Sequence, residues 1–509
     1  MEGILRFFAF LIYILIIVVL GFLIPYERFS PYEKSLIFFI GLVGAWRYSW
    51  FFINIIRSWT YKNIKFKAIR KEEEKKGSEI DPEHVFILIT TFRIGTNVSV
   101  EVYRAAIKEA INCGYNVTII ASIVEMSEER LVRKIFLELN PPERVKLVIT
   151  RIEGTGKRDG LAAGFRVVAN SPVNLYNSVV AVVDGDSILS EGVIRKSARL
   201  FGLNENLGAL TTDEDAKLEG KDFITDIYRK WYRLRFAQRN VTMSSLALGD
   251  RVLTLTGRMS MFRANIVADR EFVETVQNDY FEHWRLGKIP FLTGDDKSTW
   301  FYVVKNGWDM LYVPDVVVYT MEEIPHRNFF IGSLMLMQRW FGNQYRTNRR
   351  ALKLPIKILG LYTWYALWDQ RFTKWTAPYG LMIAIFGSIH WGGYIFLSYV
   401  WWILLSRLLM TFAYSVSRKD ILPSWPLFLY YNQIVGAFVK IYIWEHLYKQ
   451  TWTRQKTKLI AGDEFTAWTQ YVSSNLSLTI KILIFLITVN ILVQNITFDD
   501  IWEYLNWII

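Results

Sequence analysis

A single cysteine, Cys113, is present among the 509 residues. One thiol cannot form an internal disulfide bond, and Cys113 lies in a segment with the pattern of a soluble helix. The cysteine usage therefore fits a reduced compartment, and we expect the main domain in the cytosol.

Signatures of nucleic-acid binding and of P-loop nucleotide binding are missing as well. The net charge is +12, but no Lys/Arg tract has the spacing of a nucleic-acid motif. We therefore expect no nucleic acid among the partners, and the positive charge favours anionic membrane lipids or an acidic sugar. The glycine-rich turn 154–160 lacks the Walker spacing, which excludes a P-loop.

The composition fits neither a fully soluble protein nor a fully membrane-embedded one. Hydrophobic residues make up 52% of the chain, with 20 tryptophans, which is high for a soluble protein. Charged residues still make up 21%, which a chain buried in lipid throughout would not tolerate. A water-facing domain between membrane segments is predicted.

Long apolar runs mark the membrane segments. Residues 5–24 are almost wholly apolar, and at 1.5 Å per residue they span about 30 Å, the thickness of a bilayer core. A cleaved signal peptide is the alternative, but no small-residue cleavage site follows and a second run, 36–56, comes soon after. Further runs lie near 376–396, 398–415, 425–446 and 478–496.

The distribution of Lys and Arg predicts the orientation. Positive side chains are concentrated in 57–83, interpreted as a basic linker, and they mark the cytosolic side. If all four runs in the C-terminal part, 373–509, crossed the membrane, the basic loop 447–475 would lie outside the cell. We therefore predict five spans with 425–446 in the interface, and six spans as the alternative. Residues 329–372 predict amphipathic helices on the inner leaflet or, alternatively, surface helices packed on the soluble domain.

Between residues 84 and 328 the pattern is that of an α/β domain. The β-rich runs HVFILITTF, VTIIASIV, VKLVITRI and NSVVAVV alternate with helical segments such as VYRAAIKEAIN and Ser127–Leu139. Such alternation predicts parallel strands joined by helical crossovers. Ligands of these sheets bind beyond the carboxyl ends of the strands, so the polar residues that end the strands are candidate site residues.

The motif Asp184-Gly185-Asp186 directly follows the apolar strand VVAVV. Two carboxylates at the sheet edge offer hard oxygen ligands, which suit Mg²⁺ or Mn²⁺ bridging to a sugar-nucleotide diphosphate. Gly185 would let a ligand approach the backbone. The alternative is a simple turn, because Asp and Gly are common in turns.

A basic turn and a second acidic pair complete the polar motifs. Lys157 and Arg158 end the turn GTGKRD before a predicted helix, where they could neutralise phosphate charge or serve only as a helix cap. Asp295 and Asp296 open another predicted helix. Transfer to a sugar hydroxyl needs a base, and Asp296 is the candidate, with N-capping as the alternative for one of the pair.

Arg339 and Trp340 stand on a predicted interface helix. Trp340 could stack on a sugar ring, and Arg339 could pair with a leaving diphosphate. An interfacial tryptophan beside a lipid-binding arginine is the alternative.

The sequence contains an apolar strand followed by DGD, then GDD and RW, and predicted membrane helices flank this series. The order of motifs resembles that of the family 2 processive glycosyltransferases, which include cellulose, chitin and hyaluronan synthases. Among them the chain is most similar to the alginate (mannuronan) synthases, through blocks such as VGAWRYS, HVFILITTFRI, GTGKRDGLA, LTLTGRMSMFRA, FLTGDDKS and WTRQKTKL. The resemblance implies an inverting GT-A catalytic domain inserted between transmembrane α-helices in the inner membrane. It also implies GDP-mannuronate as the donor, a divalent metal (Mg²⁺ or Mn²⁺), and translocation of a β-1,4-linked polymannuronate chain.

The resemblance also assigns roles by position. Asp184 and Asp186 match the metal and diphosphate pair, and Asp296, beside Asp295, matches the general base. The other donor-site positions are Lys157, Arg158, Glu125 and Arg339.

On the acceptor side, Trp340, Trp300 and Arg258 are the candidates. The motif Gln-x-x-Arg-Trp has Leu336 in place of its glutamine. Our hypothesis is that Arg258 pairs with a uronate carboxylate, and its rival is a structural salt bridge to an internal acid. By the same resemblance, Trp452, Thr453 and Arg454 match the gating loop of hyaluronan synthases.

Regulation is expected from another subunit. The spacing of Arg346 and Arg350 is R-x-x-x-R, but no Asp/Asn-x-Ser-x-x-Gly follows, so no PilZ domain is encoded. The resemblance implies a PilZ-type, cyclic-di-GMP-binding membrane subunit as a partner. The alternatives for function are another family 2 polysaccharide synthase using a UDP-sugar, or a non-catalytic scaffold or transporter.

Overall fold

The computed structural model describes residues 2–92, 94–154, 156–452, 457–458 and 463–494. Its strands are β1 (His84–Thr90), β2 (Asn116–Ile123), β3 (Val145–Arg151), β4 (Ser178–Asp184), β5 (Ser187–Leu189), β6 (Leu207–Lys217), β7 (Met259–Arg263), β8 (Tyr280–His283), β9 (Gly287–Pro290), β10 (Asp309–Met321), β11 (Thr451–Trp452) and β12 (Thr457–Lys458).

The helices precede, follow and connect these strands. They are α1 (Glu2–Phe22), α2 (Pro31–Thr60), α3 (Phe66–Lys76), α4 (Thr96–Asn112), α5 (Met126–Leu139), α6 (Lys157–Ala169), α7 (Val193–Ala198), α8 (Phe223–Ala247), α9 (Ala264–Val267), α10 (Arg270–Gln277), α11 (Asp295–Lys305), α12 (Phe329–Ala351), α13 (Ile356–Leu359), α14 (Leu361–Phe372), α15 (Thr376–His390), α16 (Tyr394–Ala413), α17 (Trp425–Glu445) and α18 (Glu464–Leu492).

The main sheet, as far as the chain is described, has the strand order β3-β2-β1-β4-β7-β6-β10-β5. Strands β1 to β4 are parallel, as predicted from the alternation of strands and helices. Strand β7 runs antiparallel between β4 and β6, so the sheet is mixed, which the sequence pattern did not predict. Because helices cover both faces, β1 is buried from Val85 to Thr90 and reads as a continuous apolar run.

Among the described residues, four helical segments are long and apolar enough to cross a membrane: Gly3–Phe22, Pro31–Ile80, Tyr394–Val416 and Glu464–Leu492. The run 376–396, predicted as a fifth span, differs from them. Its helix α15 has 15 residues and ends at His390. At 1.5 Å per residue it spans about 22 Å, less than the hydrocarbon core.

The basic stretch 57–83, predicted as a linker, is largely helical. Helix α2 continues through a π-helical turn into α3, and this rod docks on the sheet domain. Arg70 forms two hydrogen bonds of 2.9 Å to Asp315 in β10, and Lys65 pairs with Asp250 at 2.6 Å. The charges that suggested a solvated linker therefore hold the rod against the domain.

Helices α12 and α17 join the sheet domain to the C-terminal helices. Helix α12 begins where Asn328 accepts hydrogen bonds from the backbone of Phe330 and Ile331, a typical N-cap. It packs against α11 on one side and α17 on the other. Helix α17 contacts α8, α12, α16 and α18, so it lies inside the helical assembly.

Candidate functional site

A cavity of about 440 Å³ opens at the carboxyl ends of the parallel strands β1, β2 and β4. Helices α11 and α12 close it from the opposite side. The cavity brings together residues from all four polar motifs, namely Lys157, Asp184, Asp186, Asp295, Asp296, Arg339 and Trp340. They are far apart in the sequence and meet because parallel strands end at the same edge of the sheet.

The ammonium group of Lys157 lies between two carboxylates. Its Nζ atom is 2.6 Å from Asp184 Oδ1 and 2.6 Å from Asp295 Oδ2. Burial by itself would lower the pKa of Lys157, but the two negative charges outweigh burial and raise it. The lysine is therefore positively charged and joins the first acidic motif to the second.

The adjacent carboxyl groups of α11 have different environments. Burial by itself would raise the pKa of Asp295, but the positive charges of Lys157 and Arg158 outweigh burial and lower it. For Asp296, burial and the charge of Asp295 together raise the pKa. Asp296 accepts a hydrogen bond of 3.0 Å from the hydroxyl of Thr254. The Asp295 carboxylate is thus held in an ion pair, whereas the Asp296 carboxylate is the more basic of the two.

Gly257 is required by the close approach of the two charged groups beside it. Its carbonyl accepts a hydrogen bond of 2.8 Å from the backbone of Asp184. A Cβ atom at Gly257 would lie 2.8 Å from both Asp184 Oδ2 and Lys157 Nζ, closer than real Cβ contacts allow. Only glycine leaves space next to the Asp184 carboxylate.

Gly185 is tightly packed for a different reason from the one expected. A Cβ atom there would lie 2.7 Å from the carbonyl oxygen of Thr90, at the end of β1, and 2.4 Å from Thr91. Its backbone N–H donates to the same Thr90 oxygen at 3.0 Å. Gly185 therefore lets the neighbouring strand end approach, and it also lines the cavity, so its role toward a ligand stays a prediction.

Arg158 is turned away from the cavity, which corrects its prediction as a donor-contacting residue. Its guanidinium group donates to the carbonyl oxygens of Val276 at 2.6 Å and Thr293 at 3.2 Å, and to the Ser298 hydroxyl at 3.1 Å. These bonds connect α10, the turn before α11 and α11 itself. Arg158 therefore supports the segment that carries Asp295 and Asp296.

Arg258 borders the cavity but is engaged by two internal acids. It donates to Glu214 at 3.1 Å and to Glu322 at 2.7 Å. Burial would lower the pKa of Arg258, but these two negative charges outweigh burial and raise it. This is the structural salt bridge weighed as the rival of a uronate contact, and the structure favours the rival.

The two predicted acceptor tryptophans have opposite positions. Trp300 is fully buried in the core and donates its indole N–H to the carbonyl of Val252 at 2.7 Å, so its prediction as an acceptor-binding residue is wrong. Trp340 lines the cavity and stacks on Trp231, with 5.7 Å between ring centres.

Three further predictions concern the margins of the site. Arg339 borders the cavity together with Leu336, the residue in the expected glutamine position. Glu125 is exposed at the start of α5, next to the cavity-lining Val124. In the predicted gating loop, the backbone of Trp452 belongs to β11. Thr453 and Arg454 lie outside the described residues.

Sequence reasoning missed several residues that line the cavity or support its side chains. Thr254 and Gly257 lie in the block LTLTGRMSMFRA, which served for the resemblance without a role for either residue. Asn343 accepts a hydrogen bond of 2.9 Å from Thr293 and lies against Gly294, which has a φ of +89°. Adjacency to the GDD motif could have suggested Gly294, but nothing in the sequence connects Asn343 to it.

The chain matches a family model described as "Glycosyltransferase like family 2" over residues 82–343. It is similar to glycosyltransferase alg8 of Pseudomonas syringae pv. tomato, with 45% identity over 90% of this chain and 92% of the relative. For glycosyltransferase alg8 of Azotobacter vinelandii the identity is 46%, over 89% and 90% of the two chains.

Among solved structures, the mannosyltransferase PcManGT from Pyrobaculum calidifontis, in complex with GDP-Man and Mn²⁺, has 14% identity and a TM-score of 0.42, covering 76% of this chain and 98% of its own. The family match includes all the cavity motifs, from β1 to Asn343. The chain therefore belongs to the family 2-like glycosyltransferases, with a GT-A-like catalytic domain set between candidate membrane helices.

Proposed function

We propose that this glycosyltransferase polymerises mannuronate from GDP-mannuronate into β-1,4-linked polymannuronate, the precursor of alginate, and passes the chain across the inner membrane. The observation that carries the proposal is the single cavity in which Lys157 bridges Asp184 and Asp295 while Asp296 stands beside them with a raised pKa. Inverting transfer from a nucleotide diphosphate needs these two functions, a site for the diphosphate and a base for the acceptor.

A divalent metal fits the residues present. Asp184 and Asp186 offer two carboxylates, and the space left by Gly257 lies directly beside the Asp184 oxygens. No group of three or more His, Cys, Asp or Glu side chains suited to a metal occurs within the described residues. Two carboxylates suit Mg²⁺ or Mn²⁺, since such ions share their coordination with substrate phosphates. When bound, the ion would offset charge on the departing diphosphate.

Asp296 acts as the general base. It takes the proton from the 4-hydroxyl of the chain end as that oxygen attacks the anomeric carbon of the donor. The bond from this carbon to GDP breaks on the opposite face, so an α-linked donor gives a β-linked product. The hydrogen bond from Thr254 orients the Asp296 carboxylate and leaves its other oxygen for the substrate.

Lys157 provides positive charge on the side of the leaving group. Its two carboxylate partners keep it protonated, so it meets the diphosphate as a cation. Arg339, on α12, borders the same cavity and extends the positive side toward the C-terminal helices. Trp340, its neighbour, offers a ring face for the acceptor sugar.

The membrane arrangement is proposed from charge. Lys and Arg follow α2 closely, which favours a cytosolic catalytic domain in the inner membrane. A cyclic-di-GMP-binding subunit of PilZ type remains the proposed regulatory partner.

The test is polymer formation by membranes that contain the protein, supplied with GDP-mannuronate and Mg²⁺ or Mn²⁺. We expect high-molecular-weight polyuronate from the wild type, and none from Asp296→Asn or after chelation of the metal. If the wild type is silent, the assay is repeated with the candidate regulatory subunit and cyclic-di-GMP. Polymer from a UDP-sugar alone would assign a different donor, and failure to bind any nucleotide sugar would favour the non-catalytic reading.

A further inference from the structure

Two cations lie on aromatic rings next to the active-site cavity. The guanidinium carbon of Arg235, on α8, is 5.0 Å from the centre of the Trp340 ring. The Nζ atom of Lys440, on α17, is 4.6 Å from the centre of the neighbouring Phe341 ring. Trp340 lines the cavity and Phe341 follows it on α12, so both cations lie on rings at the α12 side of the cavity.

Neither cation has an acidic partner within the part of the chain that the structure describes. The acid whose charge acts on Lys440 is Asp369, and Asp369 is already paired with Arg47. Burial, and then the neighbouring charges of Arg235 and Arg47, lower the pKa of Lys440 to about 8. Burial likewise lowers the pKa of Arg235 to about 10.

Several other cations of the chain are held by carboxylate or carbonyl oxygens, and Arg346, for example, donates to the carbonyl of Leu447 at 3.0 Å. Arg418 donates to Asp213 at 2.7 Å, and Arg350 forms two hydrogen bonds to Asp279. Because an unpaired buried charge is costly, an anion bound from outside the chain would stabilise such a cation. Arg235 and Lys440 have no hydrogen bond or ion pair among the described residues and lie on neighbouring rings beside the cavity, which points to an anionic ligand there.

A third cation, Lys374, lies on another aromatic ring, which belongs to α17. The Nζ atom of Lys374 lies 3.6 Å from the centre of the Trp444 ring, one helical turn beyond Lys440. The acid whose charge acts on Lys374 is Glu445, which already pairs with Arg285 and Lys481. Each of the three cations Arg235, Lys440 and Lys374 therefore lies on an aromatic ring.

Internal packing fixes the ring of Trp340, which lines the cavity. Trp231 stacks on Trp340 with an angle of 20° between the rings, and its indole N–H donates to Asn432 of α17 at 2.8 Å. Ring faces bind the apolar faces of pyranose rings, and the cations supply charge at their edges.

We propose that Arg235 and Lys440 form a binding site for the carboxylates of a polyuronate chain leaving the active site. The proposal rests on the proposed function, since it assigns the product of that reaction to this site. A uronate polymer carries one carboxylate per sugar, so consecutive residues could meet Arg235 and Lys440 while a sugar ring contacts Trp340. Arg258, bound to two internal acids, is not needed for this role.

The test is direct binding of a fluorescently labelled oligomannuronate to the full-length protein in detergent, without donor. We compare the wild type, the double variant Arg235→Leu/Lys440→Met, and the exposed control Lys419→Met, and we use a neutral cello-oligosaccharide of equal length as the second probe. The double variant should bind the oligouronate about tenfold or more weakly than the wild type. Lys419→Met should bind it unchanged, and the neutral probe should not distinguish the variants.

Unchanged oligouronate binding by the double variant would overturn the proposal, as would equal wild-type affinity for the two probes. Arg235→Lys/Lys440→Arg keeps both charges and should retain binding, which separates loss of charge from loss of fold. The outcome is independent of catalysis. Charge-dependent binding without polymer from GDP-mannuronate would refute the proposed donor only, whereas polymer formation with charge-independent binding would refute this site only.

Discussion

At the scale of single residues, the contrast between Asp295 and Asp296 decides the chemistry. Asp295 is held as a partner of Lys157, whereas burial and the Asp295 charge raise the pKa of Asp296. We expect Asp296→Asn to lower transfer by about 10²–10⁴-fold, the usual contribution of a general base. The variant should still bind the donor, which nucleotide-sugar binding by the purified protein would check. Transfer close to the wild-type rate would exclude Asp296 as the base.

The raised pKa also predicts the pH dependence. A base works only when ionised, so activity should rise with pH through the pKa of Asp296, at a pH above the ordinary value of about 3.9. Asp295→Asn removes a neighbouring negative charge, which favours ionisation of Asp296 and should shift the acid limb of the pH–rate profile to lower pH. The profile of the residual activity is the measurement. A shift to higher pH would contradict the assignment.

Gly257 offers a test of the geometry around Asp184. Gly257→Ala would place a Cβ atom 2.8 Å from Asp184 Oδ2 and Lys157 Nζ, so both groups must move. We expect about a hundredfold lower activity, as for other small misplacements in an active site, with an almost unchanged melting temperature. Gly249→Ala is the matched control, because its Cβ would meet ordinary contacts of 3.6 Å or more. Equal effects of the two substitutions would refute this role.

At the scale of elements, the first turn of α6 carries two neighbouring residues with different roles: Lys157 belongs to the cavity, and Arg158 supports the surrounding structure. Successive helix residues point about 100° apart, so Lys157 reaches the cavity while Arg158 points into the domain. Lys157→Met removes the cation that faces the donor, so it should weaken donor binding, in addition to the stability lost with its two ion pairs.

Arg158→Met should act mainly on stability. It leaves the carbonyls of Val276 and Thr293 without their donor, which costs about 2 kcal/mol for buried groups. A lower melting temperature in detergent, with donor affinity reduced less than in Lys157→Met, is the expected result. The reverse pattern in the two variants would mean that Arg158 contacts the donor.

Whether an element could be predicted from the sequence depends on whether its pattern is local or depends on packing. Strands β1, β2 and β4 were predictable because both of their faces are buried and they contain continuous apolar runs. The edge strand β3 is only partly buried and was predictable from the alternation of strands and helices. The short strand β7 was missed, since MSMFR has no clear period and its place depends on pairing with β4 and β6. For the same reason the sequence could not show that Trp340, and not Trp300, lines the cavity. Both tryptophans lie on helices, and only packing decides which one is exposed to the cavity.

At the scale of the whole molecule, the catalytic domain depends on the helices beyond it. Trp231 is fully buried and donates to Asn432 of α17, and the fully buried Tyr61, at the end of α2, bonds the carbonyl of Tyr312 in β10. The family-matched segment 82–343 contains only one partner of each pair.

We therefore expect this segment, expressed alone, to aggregate or to lack a cooperative melting transition, because its large aromatic surface would face water. Size-exclusion chromatography and thermal melting are the measurements, with the full-length protein in detergent as the control. A soluble monomer that melts cooperatively would show that the sheet domain is independent.

By itself, the sequence determined what short-range patterns encode: apolar runs of membrane length, buried strands, and acidic or basic residues at the strand ends and helix starts. Those patterns were enough to predict the α/β class and to collect Asp184, Asp186, Lys157 and Asp296 as candidates. Only the tertiary structure decided which neighbour of a pair faces the cavity and that Arg258 is neutralised by Glu214 and Glu322. It also decided that Arg235 and Lys440 have no acidic partner among the residues that the structure describes. The physical reason is that the state of a charge depends on every group around it in space, and those groups come from helices and strands far apart in the chain.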